Sequence, residues 1–139
     1  MKQDLDKLYL QMEQDGIEVI CYPLPHCKSV ALQKEKVVGI DRQQLEDSAE
    51  EYTILIHEKG HFDSGAFYTE DAPCLLRGQA ETRADRAAIR QYIPEQELLD
   101  CLRKGICSRW ELAEHFGVTE AFMEMAIDYY RDACGAIFK

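Results

Sequence analysis

The stretch Tyr52–His61, YTILIHEKGH, constrains this chain more than any other. It places two histidines four positions apart, with a glutamate after the first, inside an otherwise apolar, helix-compatible run. On an α-helix, residues four apart lie one turn apart on one face, so His57 and His61 point their imidazoles the same way. An H-E-x-x-H helix of this kind suits two nitrogen ligands on one Zn2+ ion. Glu58 lies about 100° round the helix from His57. It therefore flanks the metal position without occupying it and can accept a proton from an attacking water. Ser48-Ala49-Glu50-Glu51 reads as a capping box that starts the helix ahead of His57, and Gly65 as its stop. The plainer reading, two surface histidines on an amphipathic helix, is tested by the search for a third ligand.

A catalytic zinc takes three protein ligands and keeps one position open. After His61 the run Gln79-Ala80-Glu81-Thr82-Arg83-Ala84-Asp85 continues into Arg86-Ala87-Ala88-Ile89. These are strong helix formers, and the helix ends before Pro94. Glu81 and Asp85 share a face, with Ala84 and Ala88 beside them. Small alanines let this helix approach the histidine helix closely and bring Glu81 to the metal. Asp85 can then hydrogen-bond the far nitrogen of a ligating histidine. The competing reading is a solvated face on which Glu81 and Asp85 pair with Arg77, Arg86 and Arg90. Beside HEKGH, the metal reading prevails.

HEKGH, the later E-x-x-A-D at Glu81, Ala84 and Asp85, and the Ile93-Pro94 ending resemble the ImmA/IrrE family of metallo-endopeptidases. The similarity is to the short members carried by phages and mobile elements. It extends upstream through Val37-Val38-Gly39-Ile40-Asp41 and downstream through Glu111–Gly117. The resemblance implies a cytoplasmic, zincin-like, zinc-dependent endopeptidase whose substrate is a helix-turn-helix repressor and whose cleavage derepresses genes. On it, His57, His61 and Glu81 take the ligand positions and Glu58 that of the general base. Lys59 stands where the family has a hydrophobic residue, a position expected to face away from the metal.

The rest of the chain is consistent with one domain over residues 1–139, long enough to bury a core without staples. Hydrophobic content of 46% with 30% charged residues places it among globular proteins rather than disordered or membrane ones. A net charge of −10 argues against nonspecific attraction to nucleic acid or anionic membranes. Met1-Lys2-Gln3-Asp4 does not open a signal peptide, and no apolar run approaches membrane-spanning length, so the expected location is the cytoplasm. Cys21, Cys27, Cys74, Cys101, Cys107 and Cys134 form no C-x-x-C pair and read as free thiols, mostly buried, with Cys74 in the core. A second zinc site from Cys21, His26 and Cys27 is the alternative use.

Residues 2–14 have apolar positions at helical spacing and end at Gly16. Ile17–Tyr22 reads as an interior strand broken by Pro23 and Pro25. Ser29–Leu32 and Lys36–Ile40 read as a hairpin around Gln33-Lys34-Glu35. Such a sheet, beside the active-site helix, can take an extended peptide on its edge. Helices follow at Cys74–Ile93 and Glu95–Lys104, with a capping box at Ser108-Arg109-Trp110-Glu111. A last helix carries an apolar stripe of Phe122, Met123, Ala126, Ile127, Tyr130 and Ala133. The expected fold is α+β: mainly helical, with a small antiparallel sheet beside the HExxH helix. Residues 1–48 supply the first helix and sheet, 49–94 the metal-site helices, and 95–139 a C-terminal helical part.

Ala113, Gly117 and Met123 also match the packing positions of a DNA-binding helix-turn-helix. Glu120, Glu124, Asp128 and Asp132 against Arg131 give the would-be reading helix the wrong sign for phosphate, so no direct nucleic-acid partner is expected. Another alternative is a noncatalytic zinc-containing antirepressor that acts by binding, which would have no use for Glu58. Tyr68, His26 and His115 are the candidate donors to an oxyanion.

Overall fold

The computed structural model describes residues 2–133. Cys134 lies outside them, as does the side chain of Ala133, which the sequence reading counts in the last apolar stripe. The described chain is α+β, with six α-helices and a three-stranded mixed sheet. Helix α1, Lys2–Gln14, leads into strands β1, Glu18–Cys21, β2, Ser29–Leu32, and β3, Val37–Ile40. Helices α2, Ser48–Ser64, and α3, Cys74–Tyr92, follow, and then α4, Glu95–Arg103, α5, Arg109–Phe116, and α6, Glu120–Asp128. A single π-helical turn, Tyr129–Ala133, extends α6.

Strand order is β1-β3-β2, with β2 antiparallel and β1 parallel to β3. The β2–β3 hairpin is the expected one, but the sheet as a whole is mixed rather than antiparallel. The reason lies in residues 22–28. Pro23 and Pro25 keep this segment from continuing β1. Asp41 Oδ2 accepts from the Leu24 amide at 3.0 Å, and Gln44 Nε2 donates to the carbonyls of Leu24 at 2.6 Å and Cys27 at 2.9 Å. The loop is thus propped open, and β3 enters the gap between β1 and β2. That puts β1 at an edge, not in the interior. Glu18, Ile20 and Cys21 are exposed, whereas Val38 and Ile40 of the central strand have no exposed surface.

Helix α2 runs through the middle of the fold. Its N-cap is Asp47, one residue ahead of the expected Ser48, and the Asp47 carboxylate accepts the Glu50 amide at 2.9 Å. Leu55 and Ile56 are fully buried in a core shared with Leu8 and Met12 of α1, Ile89 of α3 and Met123 of α6. Each such side chain contributes roughly 1.5–3 kcal/mol by leaving water. The C-terminal helices are tied back to this centre. The Thr119 amide donates to Thr53 Oγ1 at 3.0 Å, and the Tyr130 hydroxyl to the Ile93 carbonyl at 2.7 Å. Ser108 and Thr119 cap α5 and α6 through their side chains, Ser108 as its capping box predicts.

The cysteines depart from expectation. Of the five described, only Cys101 is buried; Cys21, Cys27, Cys74 and Cys107 are exposed. Cys74 opens α3, and the first turn of a helix beginning in a surface loop has no core to enter. No described helix is long and apolar enough to cross a membrane.

Candidate metal centre

The centre forms where α2 and α3 cross at unusually short range. A methyl group built on Gly60 would stand 2.2 Å from the Ala84 carbonyl oxygen, so only glycine permits this approach. On the facing helix Ala80, Ala84 and Ala88 are all buried. The small residues thus set the spacing, and the carboxylates on either side of Ala84 reach across to α2.

His57, His61 and Glu81 each bring a ligating atom to within 4.8 Å of the others. Among the described residues, no other group of histidine, cysteine, aspartate or glutamate side chains converges in this way. His57 Nε2 lies 3.0 Å from Glu81 Oε1, and His61 Nε2 lies 2.9 Å from Glu81 Oε2. Ligands about 2.0–2.1 Å from a tetrahedral zinc stand roughly 3.3 Å from one another. The two histidine–glutamate contacts lie a few tenths of an ångström inside that spacing, so the donor set suits zinc.

The far side of each ring is already committed. His57 Nδ1 sits 2.6 Å from Asp85 Oδ1, and His61 Nδ1 sits 2.6 Å from the Ala66 carbonyl. With Nδ1 donating to an oxygen, Nε2 is the nitrogen that faces the side where the three residues meet. The Ala66 carbonyl reaches His61 because Gly65 ends α2 in the left-handed region, at φ 70°, turning the chain back under the ring. The electrostatics follow from these contacts. Burial disfavours a charged His57, but its hydrogen bond to Asp85 and the carboxylates of Asp85, Glu58 and Glu81 outweigh that and push its pKa up to about 9. Two of the three arginines expected to compete for this helix face go elsewhere. Arg86 lies over the Tyr129 ring, and Arg90 donates to the Tyr129 hydroxyl at 2.9 Å.

Glu58 is buried beside the group, with Oε1 3.9 Å from His61 Nε2 and Oε2 accepting from the Ser29 hydroxyl. A cleft of about 460 Å³ opens over it. One wall is strand β2, Ser29 to Leu32; the other is Phe67, Tyr68 and Glu70 from the segment after α2; Glu58, His61 and Glu81 complete the lining. Because β2 is an outer strand, the cleft runs along a sheet edge that is unpaired among the described residues.

Of the three candidate oxyanion donors, only Tyr68 lines this cleft. Its ring centre is 6.5 Å from that of His61, and burial together with the Glu81 carboxylate raises its pKa. His115 is on the surface, 2.9 Å from Glu97, and His26 is exposed in the loop after β1. Lys59 does face away from the centre, but it is buried, with Nζ 2.7 Å from Asp63 Oδ2 and 3.2 Å from Gln91 Oε1. On α6 and the π-helical turn after it, Glu120 and Glu124 pair with Arg109, and Asp128 and Asp132 with Arg131, so these carboxylates outnumber the arginines that pair with them.

Two participants are absent from the motif-based reading. Ser29 carries no signal, since a serine in a short strand is ordinary. Gly60 was in plain view as a small residue one position before His61, and the small-residue pattern on the facing helix was the clue to it. No protein-family model matches the chain, and neither a curated protein nor a solved structure does. What fold and site define is an α+β protein with a His-His-Glu group suited to zinc.

Proposed function

We propose that the protein is a zinc-dependent endopeptidase of the ImmA/IrrE kind, cleaving a helix-turn-helix repressor of a phage or mobile element. The observation that carries this reading is the joint arrangement of ligands and base. His57, His61 and Glu81 converge with both Nδ1 atoms engaged, and the buried Glu58 carboxylate stands beside them on the cleft wall. A site meant only to bind metal for structure is closed by a fourth protein ligand, whereas three ligands leave a position for chemistry.

When bound, zinc would supply Lewis acidity, favouring ionisation of water and polarising a carbonyl. The residues of the chain account for the rest. An extended substrate segment pairs with the free edge of β2, which holds its backbone along the cleft. Glu58 takes the proton of the attacking water and returns it to the departing amine. The Tyr68 hydroxyl, at the cleft wall, donates a hydrogen bond to the oxygen that gains charge. Phe67, whose ring packs 5.7 Å from that of His61, shields the site from water on one side.

The test is Glu58→Ala, assayed with the repressor encoded beside the gene. The variant should keep its fold, zinc and repressor binding while cleavage falls by about 10²–10⁴-fold. Equal relief of repression by wild type and variant would make the protein an antirepressor that acts by binding. Cleavage unaffected by the substitution would remove Glu58 from the chemistry.

A further inference from the structure

The helix fixes where Glu58 starts, not where its carboxylate ends. Three rotatable bonds separate the two, and the carboxylate sits at a residue that is 6% exposed. Among the described residues it has one hydrogen-bond donor, the Ser29 hydroxyl, which bonds Oε2, while Oε1 stays 3.9 Å from His61 Nε2. A carboxylate at that depth is costly without a donor, and the Ser29 hydroxyl supplies one from the β2 side, away from His61 Nε2. Ser29 thus holds the carboxylate off the metal position. It also begins β2, the strand whose free edge walls the cleft.

We propose that Ser29 is the positioning residue for Glu58, so that the strand available to seat a substrate also sets the aim of the proton acceptor. This role rests on the peptidase reading. In this scheme the backbone of β2 seats the substrate, and the Ser29 hydroxyl acts through Glu58. Misplacing a catalytic group by about 1 Å costs on the order of 10²-fold in rate, and loss of a supporting hydrogen bond about 10–100-fold.

The experiment uses the zinc-loaded full chain and a quenched fluorescent peptide chosen from those that wild type cuts in a proteome-derived peptide library. Ser29→Ala should lower kcat about 10–100-fold with little change in KM, melting temperature or zinc content. Ser29→Thr keeps the hydroxyl, suits a strand and should restore most of kcat. Crystal structures of the metal-free variants give a readout without turnover. The Glu58 carboxylate should leave its position in Ser29→Ala and return in Ser29→Thr. Unchanged kcat in Ser29→Ala, a loss carried by KM, a loss of zinc, or an unmoved carboxylate would each overturn the role. A wild type that cuts no peptide would overturn the peptidase reading and this role with it.

Discussion

Gly60→Ala tests the crossing of α2 and α3 on which the metal centre depends. The added methyl would meet the Ala84 carbonyl oxygen at 2.2 Å and its carbon at 3.0 Å, where ordinary contact begins near 3.4 Å. Both partners are backbone, so relief requires the helices to separate by roughly 1 Å, and overpacking of this kind costs about 1–3 kcal/mol. Glu81 lies one turn before Ala84 and moves with it. Zinc–oxygen bonds of ~2.0–2.2 Å tolerate only ~0.2 Å of error, so the displaced carboxylate leaves coordination range. The expected result is a metal-free protein about 1–3 kcal/mol less stable in urea, with zinc affinity down at least ~10-fold in competition with a chromophoric chelator. Gly78→Ala on α3 is the control. A methyl there meets nothing within 4 Å, so stability should rise by about 0.5–1 kcal/mol with zinc affinity unchanged. If Gly60→Ala matches wild type in both urea midpoint and zinc Kd, the helices do not cross as described.

Three further outcomes are expected. Asp85→Ala keeps all three ligands but frees His57 Nδ1, so chelator competition should show zinc affinity about 10–100-fold weaker; an unchanged Kd would return Asp85 to the solvated face. His57, with its pKa raised to about 9 from 6.5, stabilises the metal-free protein fully below pH 6.5 and loses that contribution as pH rises through 9. Zinc uptake at pH 7.5 should therefore expel the His57 proton, seen as a dependence of binding heat on the buffer's ionisation enthalpy that Asp85→Asn reduces. Lys59→Met replaces a buried ammonium by an apolar chain, while its partners Asp63 and Asp15 keep access to water at 35% and 43% exposure. Urea unfolding should place the variant within about 1 kcal/mol of wild type or above it, with full zinc; a loss beyond ~3 kcal/mol would show that the ion pair is needed.

What the sequence made legible is local. The four-residue spacing put His57 and His61 on one face, Gly65 marked the turn that ends their helix, and Ala84 and Ala88 announced close packing against it. Features that depend on the path of the chain were hidden. Whether β1 runs parallel or antiparallel to β3 depends on how far residues 22–28 hold β2 from β1. The side chains that decide it, Asp41 and Gln44, act through loop carbonyls and amides that leave no periodic trace. Ser29 is linked to Glu58 across such a loop, so spacing could not reveal it. Asp47 and Ser48 are both good caps, and composition alone could not choose between them. The exposed cysteines followed the same limit: Cys21 reads as core only if β1 is interior.

The decisive measurement is the metal content of protein purified without chelators or nickel affinity. Stoichiometric zinc is expected in wild type and in Glu58→Ala, and its loss in His57→Ala, His61→Ala and Glu81→Ala, because a three-ligand site cannot spare a member. Full zinc in Glu81→Ala would move the third ligand to Asp85 or Cys74. A wild type that takes up no zinc, even when zinc is supplied, would contradict the account outright.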